Sequence, residues 1–302
     1  MYKNRAYIIR TKTNLHAGSA DSGFGIIDKE VQRDSISNLP VINGSSLKGA
    51  VRDHFREMLA STNDLPMGDE RVKPFTFRVI FGDEEDEKKL DEEDNKSYYK
   101  LPKQGLVKFI DARLLFLPLR SNKRPYYHVT SLSTLKEAQA QLHEMGIDLS
   151  FGLENLPKNK SVVIDNAPAQ VEDVVCEAFD TDVSTLKSLF GIEHLAVFGD
   201  EDFNEVLEGL PVIARNSLKN GKSENLWYEE VVPRESVFIT VWSYYDNFDT
   251  SRVNSKGKTD KDRFENAFTL FESKILKDHI QIGANASIGY GICTFSKLGG
   301  AQ

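Results

Sequence analysis

The stretch LPVINGSSLKGAVRDHF, residues 39–55, organises the reading of the chain around it. A Gly-Ser-Ser turn runs into a segment where Leu47, Ala50, Val51, Phe55, Met58 and Leu59 recur on one helical face. Lys48, Arg52 and Arg56 fall four apart on a second, polar stripe. The first N–H groups of such a helix lack internal partners and carry the positive end of its dipole, so they favour an anion. Gly44 lets the backbone come close to a ligand, and Ser45 and Ser46 can cap the helix or bond a phosphate. Lys48 and Arg52 add full charges on the same side. Gly49 costs about 1 kcal/mol against alanine inside a helix, which points to close packing or to the close approach of something external. The residue order departs from GxxxxGK[ST], so this is not a Walker A loop. A serine-capped amphipathic helix with solvated cations accounts for the same residues, and both readings stand.

Outward from this helix, residues 6–15 alternate as a strand, with Tyr7, Ile9, Thr11, Thr13 and Leu15 on one face. The polar, glycine-rich stretch 16–25 (HAGSADSGFG) must be loop. Residues 106–119 read as one largely buried strand and YYHVTS as a second. A helix is expected over 134–145 with Gly146 as its stop, and a short one capped by Asp200 ends near Gly209. LWYEE and SVFITVWSYY flank the turn-like VVPRE, which suggests a hairpin between them. A second amphipathic helix spans 261–276, its stripe Phe264, Ala267, Phe268, Phe271 and Ile275. The strand HIQIG, the loop ANASIGYG and the strand ICTFSKL follow. Strands and helices mix without steady alternation, which favours an α+β sheet over a doubly wound one.

The formal charge of -8 is the wrong sign for a protein that meets nucleic acid, but it is local. Residues 83–94 (DEEDEKKLDEED) hold nine acids and two lysines, a net of -7, which leaves -1 for the rest. Such a block is expected to be a solvated, mobile loop, here 83–104. No run approaches the roughly 20 apolar residues of a membrane helix, and MYKNRAYIIRTKT alternates where a secretion signal would be uniformly apolar. Cys176 and Cys293 lack a metal-ligand spacing and read as reduced thiols of a cytoplasmic protein.

Three further features carry chemistry. His16 and Asp28 flank the glycine-rich loop, with Arg33 just beyond. A carboxylate beside bound phosphate can hold Mg²⁺ or orient a proton transfer, and a histidine can act as acid, base or phosphate donor. The plainer alternative makes Asp28 a turn residue or a partner of Arg33, and His16 a loop-end hydrogen bonder. Gly283, Gly289 and Gly291 could line an anion nest or simply make a tight strand connection. Glu229 and Glu230 read as ordinary strand charges.

In order along residues 16–295, HAGS…GIIDKEVQRD…LPVINGSSLKGAVR, FIDARLLFLPLRS, LWYEEVVPRESVF and IQIGANASIGYGIC resemble the RAMP superfamily of CRISPR proteins. Within it they are similar to the Cas-seven group of type III-B backbone subunits, the fourth Cmr family. The resemblance implies an α+β fold: a ferredoxin-like, RRM-related palm with inserted finger and thumb elements. It implies one domain over residues 1–302, with the thumb within 146–225. Copies of the chain would stack along a CRISPR guide RNA with other Cmr subunits, in the cytoplasm and without a membrane. Complementary single-stranded target RNA would be cut at regular intervals by metal-dependent 2′-hydroxyl attack.

The family's GxxD-x-x-x-x-R context maps onto Gly25, Asp28 and Arg33. That assigns catalysis and the metal, Mg²⁺ by expectation, to Asp28, with His16 as a second catalytic candidate and Asp21 as the fallback. RNA contact is implied for Ser45, Ser46, Lys48, Arg52, Arg33, Gly283, Gly289 and Gly291. The family's Gly-Gly is Gly283-Ala284 here, and the acidic 83–94 block has no place in the pattern. Three alternatives remain: a catalytically silent filament subunit, the type III-A counterpart, and a lone guide-processing endonuclease with His16 as general base.

Overall fold

The computed structural model describes residues 2–19, 27–61, 75–82, 104–245 and 260–299. In chain order it begins with β1 (Tyr2–Thr11), β2 (Val41–Ile42), α1 (Gly44–Ser61) and α2 (Phe75–Phe81). Next come β3 (Val107–Phe109), β4 (Ala112–Leu119), β5 (Tyr127–Ser131) and α3 (Leu132–Glu144). They are followed by β6 (Val162–Val163), β7 (Ala169–Val171), β8 (Val174–Ala178), α4 (Ser184–Phe190), β9 (Leu195–Phe198) and α5 (Asp200–Glu208). β10 (Val212–Lys219), β11 (Lys222–Glu230), β12 (Val237–Tyr245), α6 (Asp260–Ile275), β13 (His279–Gln281) and β14 (Ile292–Lys297) complete the series.

Twelve of these strands form one mixed sheet in the order β13-β14-β1-β12-β4-β5-β9-β6-β8-β7, with β2 added beside β4 and β3 beside β12. β5–β9 and β6–β8 are parallel and the other pairs antiparallel. The α+β expectation agrees with this architecture. β10 and β11 stand apart as a two-stranded ribbon.

β1 shows how the layers form. Its side chains alternate between two covered faces. Tyr7 and Ile9 join the core under α1, α2 and α6, with Phe55, Trp242 and Phe271. Ala6 and Ile8 join the other core, under α3 and α4, with Leu135, Phe116 and Phe190. The strand expected over 6–15 runs instead from Tyr2 to Thr11, and burial on both faces is why its centre reads AYII where the expected alternation would place a polar residue. Trp242 lies 4.2 Å from Tyr7, and Phe55 meets Phe271 edge-on at 5.2 Å, both ring centroid distances. The Tyr7 hydroxyl donates to Glu272 Oε1 at 2.5 Å and Arg5 Nη1 to Oε2 at 2.6 Å, fastening α6 to the strand. Burial, then Glu272, drives the Tyr7 phenol well above its usual pKa.

Several sequence expectations change. LWYEE and SVFITVWSYY do not pair: β11 runs back along β10 through Asn220-Gly221, and β12 runs along β1 over nine residue pairs. Both turn residues take positive φ, 52° and 78°, the geometry that asparagine and glycine tolerate in a hairpin turn. The strand expected over 106–119 is broken at Ile110-Asp111 into β3 and β4. α5 is capped by Gly199, while the Asp200 carboxylate accepts from Ser133 Oγ at 2.6 Å. α3 begins two residues before expectation because Ser131 caps it, accepting from Thr134 N at 3.2 Å. Residues 162–198 extend the main sheet, and the ribbon is 212–230. The acidic 83–94 block and Asp21 lie outside the described residues.

One surface ion pair gives a pH prediction. Asp165 accepts from Arg124 Nε and Nη2 at 3.0 and 2.9 Å and from the Tyr127 hydroxyl at 2.9 Å. The Arg124 hydrogen bonds, with those of Asn166 and Tyr127, lower its carboxyl to about 2. A depressed carboxylate stabilises the fold above its unfolded pKa, and the contribution disappears as pH falls through the folded value. Urea midpoints of wild type and Asp165→Asn are therefore expected to differ fully at pH 7 and to converge between about pH 4 and pH 2. A gap that is undiminished at pH 2 contradicts the assignment.

Candidate nucleic-acid interface and cleavage site

The ribbon root is where the predicted residues gather. Residues 27–33 run alongside the end of β11: Asp28 N and Lys29 N both donate to Tyr228 O at 3.1 Å, and Glu230 N donates to Lys29 O at 2.9 Å. The Asp28 carboxylate is exposed, and its Oδ2 accepts from Tyr228 N at 2.7 Å. Oδ1 has no partner among the described residues. Arg33 is not the partner of Asp28. Its guanidinium donates to Glu230 Oε1 at 2.6 Å, Leu207 O at 2.9 Å and Asn38 O at 3.1 Å. All three contacts are made within the chain, so Arg33 serves the framework that holds the strip.

Beneath this strip lies a polar lattice. Glu229 and Glu230 are 1% and 2% exposed, not the solvated strand charges of the sequence reading. Buried carboxylates need partners. Glu229 has Arg215 Nε at 3.0 Å and Asn285 Nδ2 at 2.7 Å; Glu230 has Arg33 and Val31 N, the latter at 3.0 Å. His16 is 3% exposed. Its Nδ1 donates to Glu230 O at 2.7 Å, and its Nε2 lies 3.5 Å from Glu229 Oε1. A Cβ on Gly18 would sit 2.9 Å from that Nε2, so the loop closes tightly over the ring. The enclosed ring holds three segments together and does not reach a substrate, which corrects the catalytic expectation for His16.

The start of α1 is built against β3. A Cβ at Gly44 would fall 2.4 Å from Phe109 O, so the close approach that requires this glycine is internal. The break after β3 brings in Asp111, whose Oδ1 accepts from Gly44 N at 2.6 Å. Leu47 N donates to Asn43 O at 2.9 Å, leaving the N–H groups of Ser45 and Ser46 ahead of the first intrahelical bond. Ser45 is exposed. Gln32, absent from the sequence-based site, joins this start to the Asp28 strip. Its Nε2 donates to Gly18 O at 3.0 Å and Ser46 Oγ at 3.3 Å, and its Oε1 accepts from Asn43 N at 2.9 Å. Gln32 stands four residues along the strip from Asp28, so one amide side chain ties the strip to the helix start.

Lys48 is half-buried, and Arg52 Nε lies 3.6 Å from Asp53 Oδ1. Arg56 is engaged with Asp53 at 3.3 Å and sits over the Phe77 ring. A Cβ at Gly49 meets nothing within 4 Å, so internal packing does not require this glycine. Gly49→Ala is expected to stabilise the free protein by about 1 kcal/mol in urea titration. A destabilised variant would mean that the helix surface there is already filled.

Two of the three C-terminal glycines have internal causes. Gly283 takes φ +82° with a Cβ position 2.4 Å from His16 O, and Gly291 takes φ +70° with one 1.9 Å from Ile282 O. Gly289, at φ +79°, borders open space. The N–H groups of Ala284, Gly289 and Gly291 donate to His16 O, Ala286 O and Asn14 O at 2.9, 2.9 and 2.8 Å. They are therefore spent within the chain rather than presented to an anion. Position 284 is alanine without strain because the positive φ falls at Gly283 and Asn285.

A strip with one open carboxylate beside a basic helix start, on a twelve-stranded mixed sheet, now has a family. The model of the RAMP superfamily matches residues 8–294, and the chain belongs to that superfamily. Across 95% of its length the chain is 25% identical to the CRISPR system Cmr endoribonuclease Cmr4 of Pyrococcus furiosus, 94% of which is covered. Two solved structures share the fold. One is type III-B Cmr-beta bound to cognate target RNA, with TM-score 0.71 and 21% identity over 98% of this chain and 97% of that one. The other is oligomeric Cmr4 from Pyrococcus furiosus, with TM-score 0.65 and 21% identity over 98% of each chain. No helix among the described residues is long and apolar enough to cross a membrane.

Proposed function

We propose that this protein is the RNA-cutting backbone subunit of a type III-B CRISPR effector complex in the cytoplasm. Its partners are guide RNA, complementary single-stranded target RNA, other copies of itself and the remaining Cmr subunits. The sheet and α1 serve as a ferredoxin-like, RRM-related palm, and β10–β11 as the thumb. The observation that carries this reading is the exposed Asp28 carboxylate, anchored through one oxygen on Tyr228 N with the other open.

RNA brings its own nucleophile. The 2′-hydroxyl attacks the adjacent phosphorus and the bond to the 5′-oxygen breaks, leaving a cyclic phosphate and a 5′-hydroxyl. The protein's task is to splay the nucleotide and align that attack. The Tyr228 bond fixes Asp28 against the ribbon, and Ser45, Ser46, Lys48 and Arg52 hold neighbouring backbone phosphates. No group of three His, Cys, Asp or Glu side chains among the described residues is arranged to hold a metal. A single carboxylate completed by water and phosphate oxygens suits Mg²⁺, so Asp28 is the residue that fits it. When bound there, the ion offsets negative charge developing on the phosphate.

The test is reconstitution with the Cmr partners, guide and end-labelled target in Mg²⁺. Products at a regular spacing support the reading, and intact target in a fully assembled complex defeats it. Within the same complex, Lys48→Ala with Arg52→Ala is expected to weaken guide binding. The slope of log affinity against log salt should flatten by up to about two, one for each phosphate no longer neutralised. An unchanged slope would remove these side chains from the RNA path.

A further inference from the structure

On the opposite side of the ribbon from Tyr228, two hydrogen-bond donors have no acceptor among the described residues. Arg215 and Trp227 are cross-strand partners, so their side chains share one face of β10–β11. Arg215 Nη2 and Trp227 Nε1 are shut off from water, and neither has a hydrogen-bond partner among the described residues. The rest of Arg215 is well placed: Nε is held by Glu229, and the guanidinium lies 4.7 Å from the Tyr290 ring centroid. Trp227 carries the Lys29 ammonium 5.3 Å above its ring, and Lys29 is exposed. The Arg215–Tyr290 and Lys29–Trp227 pairs, each with one unanswered N–H group, therefore occupy neighbouring positions of one ribbon face, beside the Glu229 carboxylate.

A buried donor without an acceptor is destabilising, and most such groups in folded proteins are answered. Glu229 already answers the Arg215 charge through Nε, so it is the exposed Lys29 ammonium and the two N–H groups that call for an anionic oxygen. Cations stacked on aromatic faces are also the composition of surfaces that track a single nucleic-acid strand. Lys29 directly follows Asp28, so this spot borders the proposed cleavage strip while facing the other way.

We infer that Lys29, Arg215 and Trp227 form a second RNA-backbone phosphate site on the ribbon face opposite Tyr228. It rests on the RNA-binding reading above. The phosphate oxygen accepts from Arg215 Nη2 and Trp227 Nε1, and Lys29, on a long flexible stem, re-aims its ammonium from the ring toward the same oxygen. The phosphate can belong to the guide or to the target strand, and the two are separable by experiment.

The test uses Trp227→Phe and Lys29→Gln in the reconstituted complex. Trp227→Phe keeps an aromatic ring under Lys29 and deletes the N–H together with the pyrrole half of the indole. Guide affinity is measured during assembly, and target affinity on the loaded complex with a target carrying 2′-deoxy nucleotides at the cut positions. The expected result is binding about tenfold weaker in one arm, the scale of a lost hydrogen bond to a charged group. Lys29→Gln should lower the salt slope in that same arm by about one. Affinities within twofold of wild type in both arms overturn the inference. Failure of the wider reading would appear separately, as a wild-type complex that holds no guide or leaves cleavable target intact.

Discussion

Asp28→Ala is expected to abolish target cleavage in the assembled complex, lowering the rate by at least about 10³-fold, while guide loading and subunit stacking persist. The residue is exposed, and its one hydrogen bond to Tyr228 N sits at the edge of the ribbon root. Losing that bond costs the fold only about 1 kcal/mol, because the neighbouring backbone bonds of Asp28 and Lys29 to Tyr228 O remain. Asp28→Asn separates placement from charge. Its amide oxygen still accepts from Tyr228 N, yet it cannot supply an anionic oxygen to a cation or to the attacking hydroxyl. The two variants should therefore be equally inactive with normal guide content, Asp28→Asn keeping the wild-type thermal midpoint and Asp28→Ala falling by the small shift that about 1 kcal/mol represents. Rapid cleavage by either variant in a complete complex would remove Asp28 from the chemistry and leave a silent filament subunit as the better reading.

Glu230→Ala is expected to produce the largest loss of stability, about 3–5 kcal/mol, the scale of breaking a buried ion pair from one side. The carboxylate is almost wholly enclosed and answers both Arg33 Nη2 and Val31 N. Truncation leaves the guanidinium partly unpaired and a buried N–H without an acceptor. Because Val31 and Arg33 belong to the strip that carries Asp28, cleavage should fall along with stability. Glu230→Gln keeps an acceptor for Val31 and should recover part of the lost urea midpoint. An alanine variant within 1 kcal/mol of wild type would mean that the strip is held by its backbone bonds alone.

Much of the frame was readable from residue spacing. The stripe Phe264, Ala267, Phe268, Phe271 and Ile275 is the buried face of α6, and Leu47, Val51 and Phe55 are that of α1. Each spacing reflects one face against one core. β1 was harder, since two cores cover it and alternation carries no information when both faces are buried. Pairing partners were the main loss. VVPRE looks like a turn between two strands, but local sequence cannot say that β12 prefers β1. The Asn220-Gly221 turn that does join two strands was the available signal.

At the site, the Asp28 and α1 segments were legible as motifs, whereas the roles of single residues were not. Gly44, Gly283 and Gly291 look alike as ligand cradles, yet each gives way to a carbonyl from a distant segment. Glu229 and Glu230 differ from surface glutamates only through partners far along the chain: Arg215, Asn285, Arg33 and His16. Gln32 escaped notice because an amide side chain declares no chemistry until its neighbours are known.

The position of β1 between β12 and β14 has a cost in time. Thr11 leaves the ribosome before the chain has reached Val237, a gap of 226 positions by number. At the usual translation speed of about 5–20 residues per second, that is a wait of roughly 10–45 s. Through that interval a strand apolar on both faces has neither neighbour, and nascent chains stalled short of β12 should engage chaperones far more than the released protein.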